Sequence, residues 1–184
     1  MVIYVIGFIG SDRMTAARAA SEQYGVPLYD LAAEIEKRDG RTIRRMVITM
    51  GEHELRNKEY ETLTAILKEC GEPAKPADEP DSDYSAVICC TDDLILDPMS
   101  ADLVRAGEVI IADEPDTADN TESGVDSAEA ALRLDAMFER AIAQAPDDQS
   151  LHYAFLLDPD RTAAREKFQK LYEQRRPLYD SFRK

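Results

Sequence analysis

The chain has 184 residues, 44% hydrophobic and 32% charged, and a formal net charge of -15 at pH 7. That is material for a single globular domain with a proper core. The charge argues against nucleic acid or an anionic membrane as partner, and no apolar run is long enough to span a bilayer. Cys70, Cys89 and Cys90 are too few for a disulfide framework and read as reduced thiols, two of them in the core. With no basic leader at the N-terminus, a cytoplasmic location is expected. Two histidines without a Cys/His cluster give no zinc site.

Residues 2–6 are apolar on both faces, as a central parallel strand requires. A turn holding Gly7 and Gly10 follows, then a helix to about Tyr24, rich in small residues that pack closely on a sheet. Strand, glycine turn and helix is the layout of a phosphate-binding loop, in which backbone N–H groups at a helix N-terminus cradle phosphates. Against the pattern G-x-x-x-x-G-K-[ST], Gly7 opens correctly, while Gly10 and Ser11 lie within the turn. Asp12 stands for the second glycine, Arg13 for the lysine and Met14 for the hydroxyl residue, and Thr15 comes one place late. A short second strand is expected at 26–29, ending at Asp30. Helices are expected at 31–38, at 43–50 after a Thr42 cap, and at 52–70, the last with a buried stripe of Tyr60, Leu63, Leu67 and Cys70. Further strands fall at 86–90 and 108–112, with a helix between them opening at Asp97-Pro98. A helix with a face of Ala131, Leu134, Phe138, Ala141 and Ile142 comes next, and an amphipathic helix at 161–175 follows a loop at 145–150. Residues 71–83 and 113–129 are acidic and proline- or serine-bearing, and read as mobile loops. The alternation predicts an α/β fold around a parallel sheet.

Several short segments, in order and spacing, resemble the shikimate kinase family of P-loop small-molecule kinases across almost the whole chain. They are Val5-Ile6-Gly7-Phe8-Ile9-Gly10-Ser11, Asp30 with Glu34 to Arg38, Gly51-Glu52-His53-Glu54-Leu55-Arg56, Val87-Ile88 and Arg175-Arg176-Pro177-Leu178-Tyr179. The resemblance implies one domain over 1–184, a three-layer fold with strand order 2-3-1-4, and ATP-dependent phosphorylation of the shikimate 3-hydroxyl with magnesium. The family's fifth strand is expected to be missing, which leaves the edge of the fourth strand to the acidic segment or to a second copy in a homodimer. Arg56 and Arg175 match arginines that grip the shikimate carboxylate. Read from their own surroundings, they could equally be helix residues paired with neighbouring glutamates. Asp30 matches a magnesium-holding acid and is also a natural helix N-cap.

The chain departs from the family at most chemical positions. Asp12, Arg13 and Met14 break the phosphate loop, and Ala32 replaces the acid that faces the reacting hydroxyl. Thr91-Asp92-Asp93 replaces a triple-glycine turn, and Ala154, within a lid-like segment at 145–157, replaces the lid arginine. These changes favour a non-catalytic binding or regulatory module, possible ligand a small carboxylate such as shikimate. The alternatives are an active shikimate kinase, which alone would call for ATP and magnesium, and a different activity in the same cleft. Asp12, Asp30, Asp92 and Asp93 could gather as a weak site for a divalent cation. The simpler expectation is that Arg13 turns onto Asp92 or Asp93 and the pocket closes.

Overall fold

The computed structural model describes residues 1–70, 84–112, 126–144 and 151–183. The expected acidic loop at 71–83, most of that at 113–129 and the loop at 145–150 lie outside the described residues. The elements are β1 (Val2–Ile6), α1 (Arg13–Tyr24), β2 (Leu28–Asp30), α2 (Leu31–Asp39), α3 (Ile43–Met50), α4 (Glu52–Cys70), β3 (Ala86–Cys89), α5 (Pro98–Arg105), β4 (Glu108–Ile111), α6 (Asp126–Gln144) and α7 (Arg161–Asp180). All strand pairs are parallel, in the order β2-β3-β1-β4, and these are the four strands among the described residues.

The apolar runs in the strands follow from burial on both faces. Ile3 and Val5 point to one side with Val87, Cys89 and the small residues Ala17 and Ala20 of α1. Tyr4 and Ile6 point to the other, into the larger core with Ile88 and residues of α2, α3, α4, α6 and α7. Several helix ends follow from local chemistry. Thr42 accepts from the Arg45 N–H at the start of α3, and Gly25 and Gly40 adopt left-handed backbone after α1 and α2.

Two helices differ from expectation. The buried residues of α4 are Leu55, Glu59, Thr62, Leu63 and Ile66, so its inner face is rotated by about one position from the expected stripe, roughly 100°. Tyr60, Leu67 and Cys70 flank it, half-buried. The cause is chemical: the inner face carries Glu59 and Thr62, which apolar periodicity does not detect. The last helix does not stop at Arg175 but runs through Pro177 to Asp180. An interior proline costs about 3 kcal/mol. Here it lies in the final turn, and burial of Tyr179 and Phe182 just beyond it offsets that cost.

The phosphate-loop segment is held from two sides. Phe8 packs edge-on against Phe168 and Tyr172 of α7, with ring centroids 5.1 and 5.3 Å away. Gly10 has φ +78°, and a Cβ there would collide with the Met137 carbonyl of α6. Arg140 donates from Nε to the Gly10 carbonyl at 2.7 Å. Gly10→Ala is therefore expected to destabilise the protein by about 2 kcal/mol or more, from left-handed strain and displacement of α6. Urea unfolding measures it, and a cost below about 0.5 kcal/mol would contradict the contact.

Candidate functional site

The C-terminal ends of β1, β2 and β3 face a cavity of about 490 Å³, where open parallel sheets place their ligands. It is bordered by Ser11, Asp12, Arg13 and Met14 from the loop after β1, and by Asp30 and Ala32 from β2 and α2. Arg56 and Glu59 of α4 and the Thr91-Asp92-Asp93 turn complete it. The expectation of a closed pocket is thus corrected: Arg13 does turn inward, yet the cavity remains open beside it.

On the phosphate-loop side the positive features are met by the chain's own acceptors. The Ser11 N–H donates to the Phe8 carbonyl at 2.9 Å, closing a turn in which Gly10 supplies the positive φ. The Asp12 side chain caps α1, accepting from the Thr15 N–H at 3.4 Å, at the helix end an anion would use. Arg13 forms an ion pair with Asp92 and also donates to the Gly7 carbonyl at 3.4 Å. Burial works against the Arg13 charge, and Asp92, together with Cys89 and Tyr179 nearby, more than offsets it, so the guanidinium pKa stands above its usual value. The Ser11 hydroxyl and the Arg13 stem lie against Gly7, over the mouth of the loop. Met14 packs against the apolar cluster on the α1 side of the sheet, and Thr15 is exposed.

Across the cavity, Arg56 lines the wall, and Arg175, behind it, converges with it on Asp93. Arg56 donates to Glu59 at 2.5 Å and to Asp93 Oδ2 at 3.2 Å. Arg175 is paired with Asp93 Oδ1 and donates to the Tyr153 hydroxyl at 2.7 Å. Tyr153 in turn donates to Asp93 at 2.6 Å, and Thr91 donates to Glu59 at 2.5 Å. Both arginines are therefore paired with acids, as their helix context allowed, but with one shared partner, Asp93, contributed from a distant turn. Tyr179 stands one helical turn beyond Arg175, with its hydroxyl 3.2 Å from both the Gly7 and Asp92 carbonyls. It links the loop after β1 to the turn after β3.

The four acids do not gather as one group. Asp30 caps α2, accepting from the Ala32 and Ala33 N–H groups, Asp12 caps α1, and Asp92 and Asp93 hold different arginines. Among the described residues no three His, Cys, Asp or Glu side chains stand close enough to hold a metal ion. The divalent-cation site expected from Asp12, Asp30, Asp92 and Asp93 is corrected accordingly. The described part of the lid-like segment, Leu151–Leu157, is a 3₁₀ turn that inserts Tyr153 while Ala154 is exposed.

Glu59 and Tyr153 are not singled out in the sequence, and Thr91 enters there only as part of the Thr91-Asp92-Asp93 turn. For Glu59 a signal existed, its i,i+3 spacing from Arg56, whereas Tyr153 has no local signal at all. Burial pushes the Glu59 carboxyl above its usual value, opposed by Arg56 and by the Thr91 hydrogen bond. A raised carboxyl pKa means the native state holds a proton that the unfolded state has released, so this contribution falls as pH rises above the ordinary value of 4.5. Glu59→Gln removes the titration. The stability of Glu59→Gln relative to wild type should therefore increase as pH is raised through and above that value, as read from melting temperatures. A difference that is flat with pH would contradict the direction.

The buried thiols offer no nucleophile here. Cys89 lines the cavity with its pKa pushed up to about 11 by burial, and Cys90 is also raised by burial.

Residues 10–72 match the family model described as shikimate kinase. The shikimate kinase of Bacillus cytotoxicus is 33% identical over 64 residues, which cover 35% of this chain and 39% of that protein. The bifunctional shikimate kinase/3-dehydroquinate synthase of Thermotoga maritima is 35% identical over 68 residues, covering 37% of this chain and 14% of that protein. The chain thus matches well under half the length of these relatives. Among solved structures, the shikimate kinase of Acinetobacter baumannii in complex with shikimate superposes with a TM-score of 0.66 at 18% identity, covering 98% of this chain and 79% of that one. The Aquifex aeolicus shikimate kinase gives a TM-score of 0.51 at 21% identity, covering 76% of this chain and 83% of that one. These two likenesses concern the fold.

Proposed function

We propose that the chain is a member of the shikimate kinase family, a reading supported by the match over residues 10–72 and by its fold, and that it no longer transfers phosphate from ATP and serves as a binding or regulatory module. The observation that carries this reading is the phosphate loop, where the chain's own acceptors engage the Thr15 and Ser11 N–H groups and the Arg13 guanidinium. The α1 N-terminus is capped by Asp12, the Ser11 N–H is spent within the turn, and Arg13 is paired with Asp92. Phosphoryl transfer is mostly electrostatic positioning of a highly charged group, and it needs free donors, cations and magnesium around the phosphates. Here a triphosphate would meet two carboxylates, Asp12 and Asp92. The residues do not fit magnesium-ATP either: Met14 offers no hydroxyl ligand and Asp30 is engaged as a helix cap. Ala32 can accept no proton, and the Ala154 side chain carries no charge toward a phosphate. Removing a single transition-state donor costs about 10²–10³ in rate, and several such elements are absent together.

A cytoplasmic setting is part of this proposal, with a small carboxylate of the shikimate kind as the class of ligand that suits the Arg56–Arg175 pair once Asp93 leaves it. The shikimate-bound relative supports reading the Arg56–Arg175 pair as a carboxylate clamp. No helix among the described residues is long and apolar enough to cross a membrane. A coupled assay for ADP formation with magnesium-ATP and shikimate tests the reading. No rate above the protein-free background is expected, and shikimate-dependent turnover would establish the kinase alternative instead.

A further inference from the structure

The clamp has an occupant of its own. Asp93 is 3% exposed and both its oxygens are used: Oδ1 by Tyr153 and Arg175, Oδ2 by Arg56. The two guanidinium groups come from different helices, α4 and α7, and each side chain is only 17% exposed. Two partly buried cations facing one point repel each other and have given up water, so the arrangement is stable only around negative charge. Glu59 answers one of the two charges through Arg56. One carboxylate is still required, and a planar fork from each side suits that group. The turn after β3 delivers it.

We infer that Asp93 is an intramolecular ligand of a carboxylate-binding clamp made by Arg56, Arg175 and Tyr153, and that it bars external small carboxylates from the native site. A tethered carboxylate acts at an effective concentration of about millimolar or higher, and it has no association entropy to lose. An external acid must displace it and leave a second carboxylate beside the first. The ligand class of the clamp is thus a monocarboxylate, and the residue that decides whether one binds is Asp93. The inference rests on the reading above only in taking the clamp as a carboxylate site.

Asp93→Ala leaves the clamp with uncompensated positive charge, which should lower the melting temperature. Formate, acetate or shikimate at constant ionic strength should then raise it by several degrees, saturably, because a ligand of the native state alone stabilises it. The methyl ester of shikimate should not, and adding Arg175→Met should abolish the response. Wild type should show no carboxylate-specific rise. Equal responses in wild type and Asp93→Ala, or none in the variant, would overturn the inference. If Asp93→Ala does not fold in plain buffer, Asp93→Ser is measured in the same way. If neither folds, refolding in formate should recover native protein, and failure to recover it counts against the clamp. Turnover of ATP by wild type overturns the loss of phosphoryl transfer whichever way the melting data fall. A silent Asp93→Ala with no turnover overturns the self-ligation alone.

Discussion

Arg56→Met is expected to lower the unfolding free energy by about 3–5 kcal/mol, the cost of breaking a buried ion pair by removing one partner. Here the guanidinium lies between Glu59, 1% exposed, and Asp93, 3% exposed. Removing it leaves the Glu59 carboxyl with the Thr91 hydroxyl in place of a guanidinium, and leaves Asp93 to Arg175 and Tyr153. Methionine keeps most of the stem's apolar contact, so the loss reports charge rather than packing. Urea unfolding of wild type and variant at pH 7 measures it. A cost below about 1 kcal/mol, as for an exposed ion pair, would mean that the network is not structural.

The second large effect lies on the phosphate side. Asp12→Gly, Arg13→Lys and Met14→Ser together should tighten ATP binding by at least about tenfold, or roughly 1.4 kcal/mol. The gain has three sources: the carboxylate leaves the α1 N-terminus, the wide guanidinium fork gives way to an ammonium, and a hydroxyl returns for magnesium. Asp92 still faces position 13, so adding Asp92→Gly should increase the gain further. Turnover should stay absent in both, since Ala32 and Ala154 are unchanged. Calorimetric titration with magnesium-ATP checks the affinity. An unchanged affinity would show that the internal carboxylates are not what blocks the loop.

Much of the frame is legible in the sequence because local rules decide it. Gly25, Gly40 and Gly51 mark helix ends, Thr42 and Asp30 mark starts, and the all-apolar β1 declares burial on both faces. Strand order is not a local property, and only the family resemblance supplied it. Within the site, the departures of Asp12, Arg13 and Met14 from the phosphate-loop pattern can be read residue by residue. What those residues do instead cannot. Asp92 and Asp93 look like two solvated turn residues, and only the fold brings them beneath arginines from positions 13, 56 and 175. Glu59 breaks the apolar stripe of α4 and so displaced the expected inner face. Pro177 is a valid stop signal locally, overridden by burial of Tyr179, whose hydroxyl ties the two loops of the site together.

The most direct test of the claim that the chain's own carboxylates have taken over its phosphate-binding loop is calorimetry of the native protein with magnesium-ATP, with and without shikimate. The account predicts no saturable heat up to millimolar nucleotide in either case. A dissociation constant in the low micromolar range would contradict it, because Asp12 and Asp92 would then have to leave α1 and Arg13 to admit the phosphates.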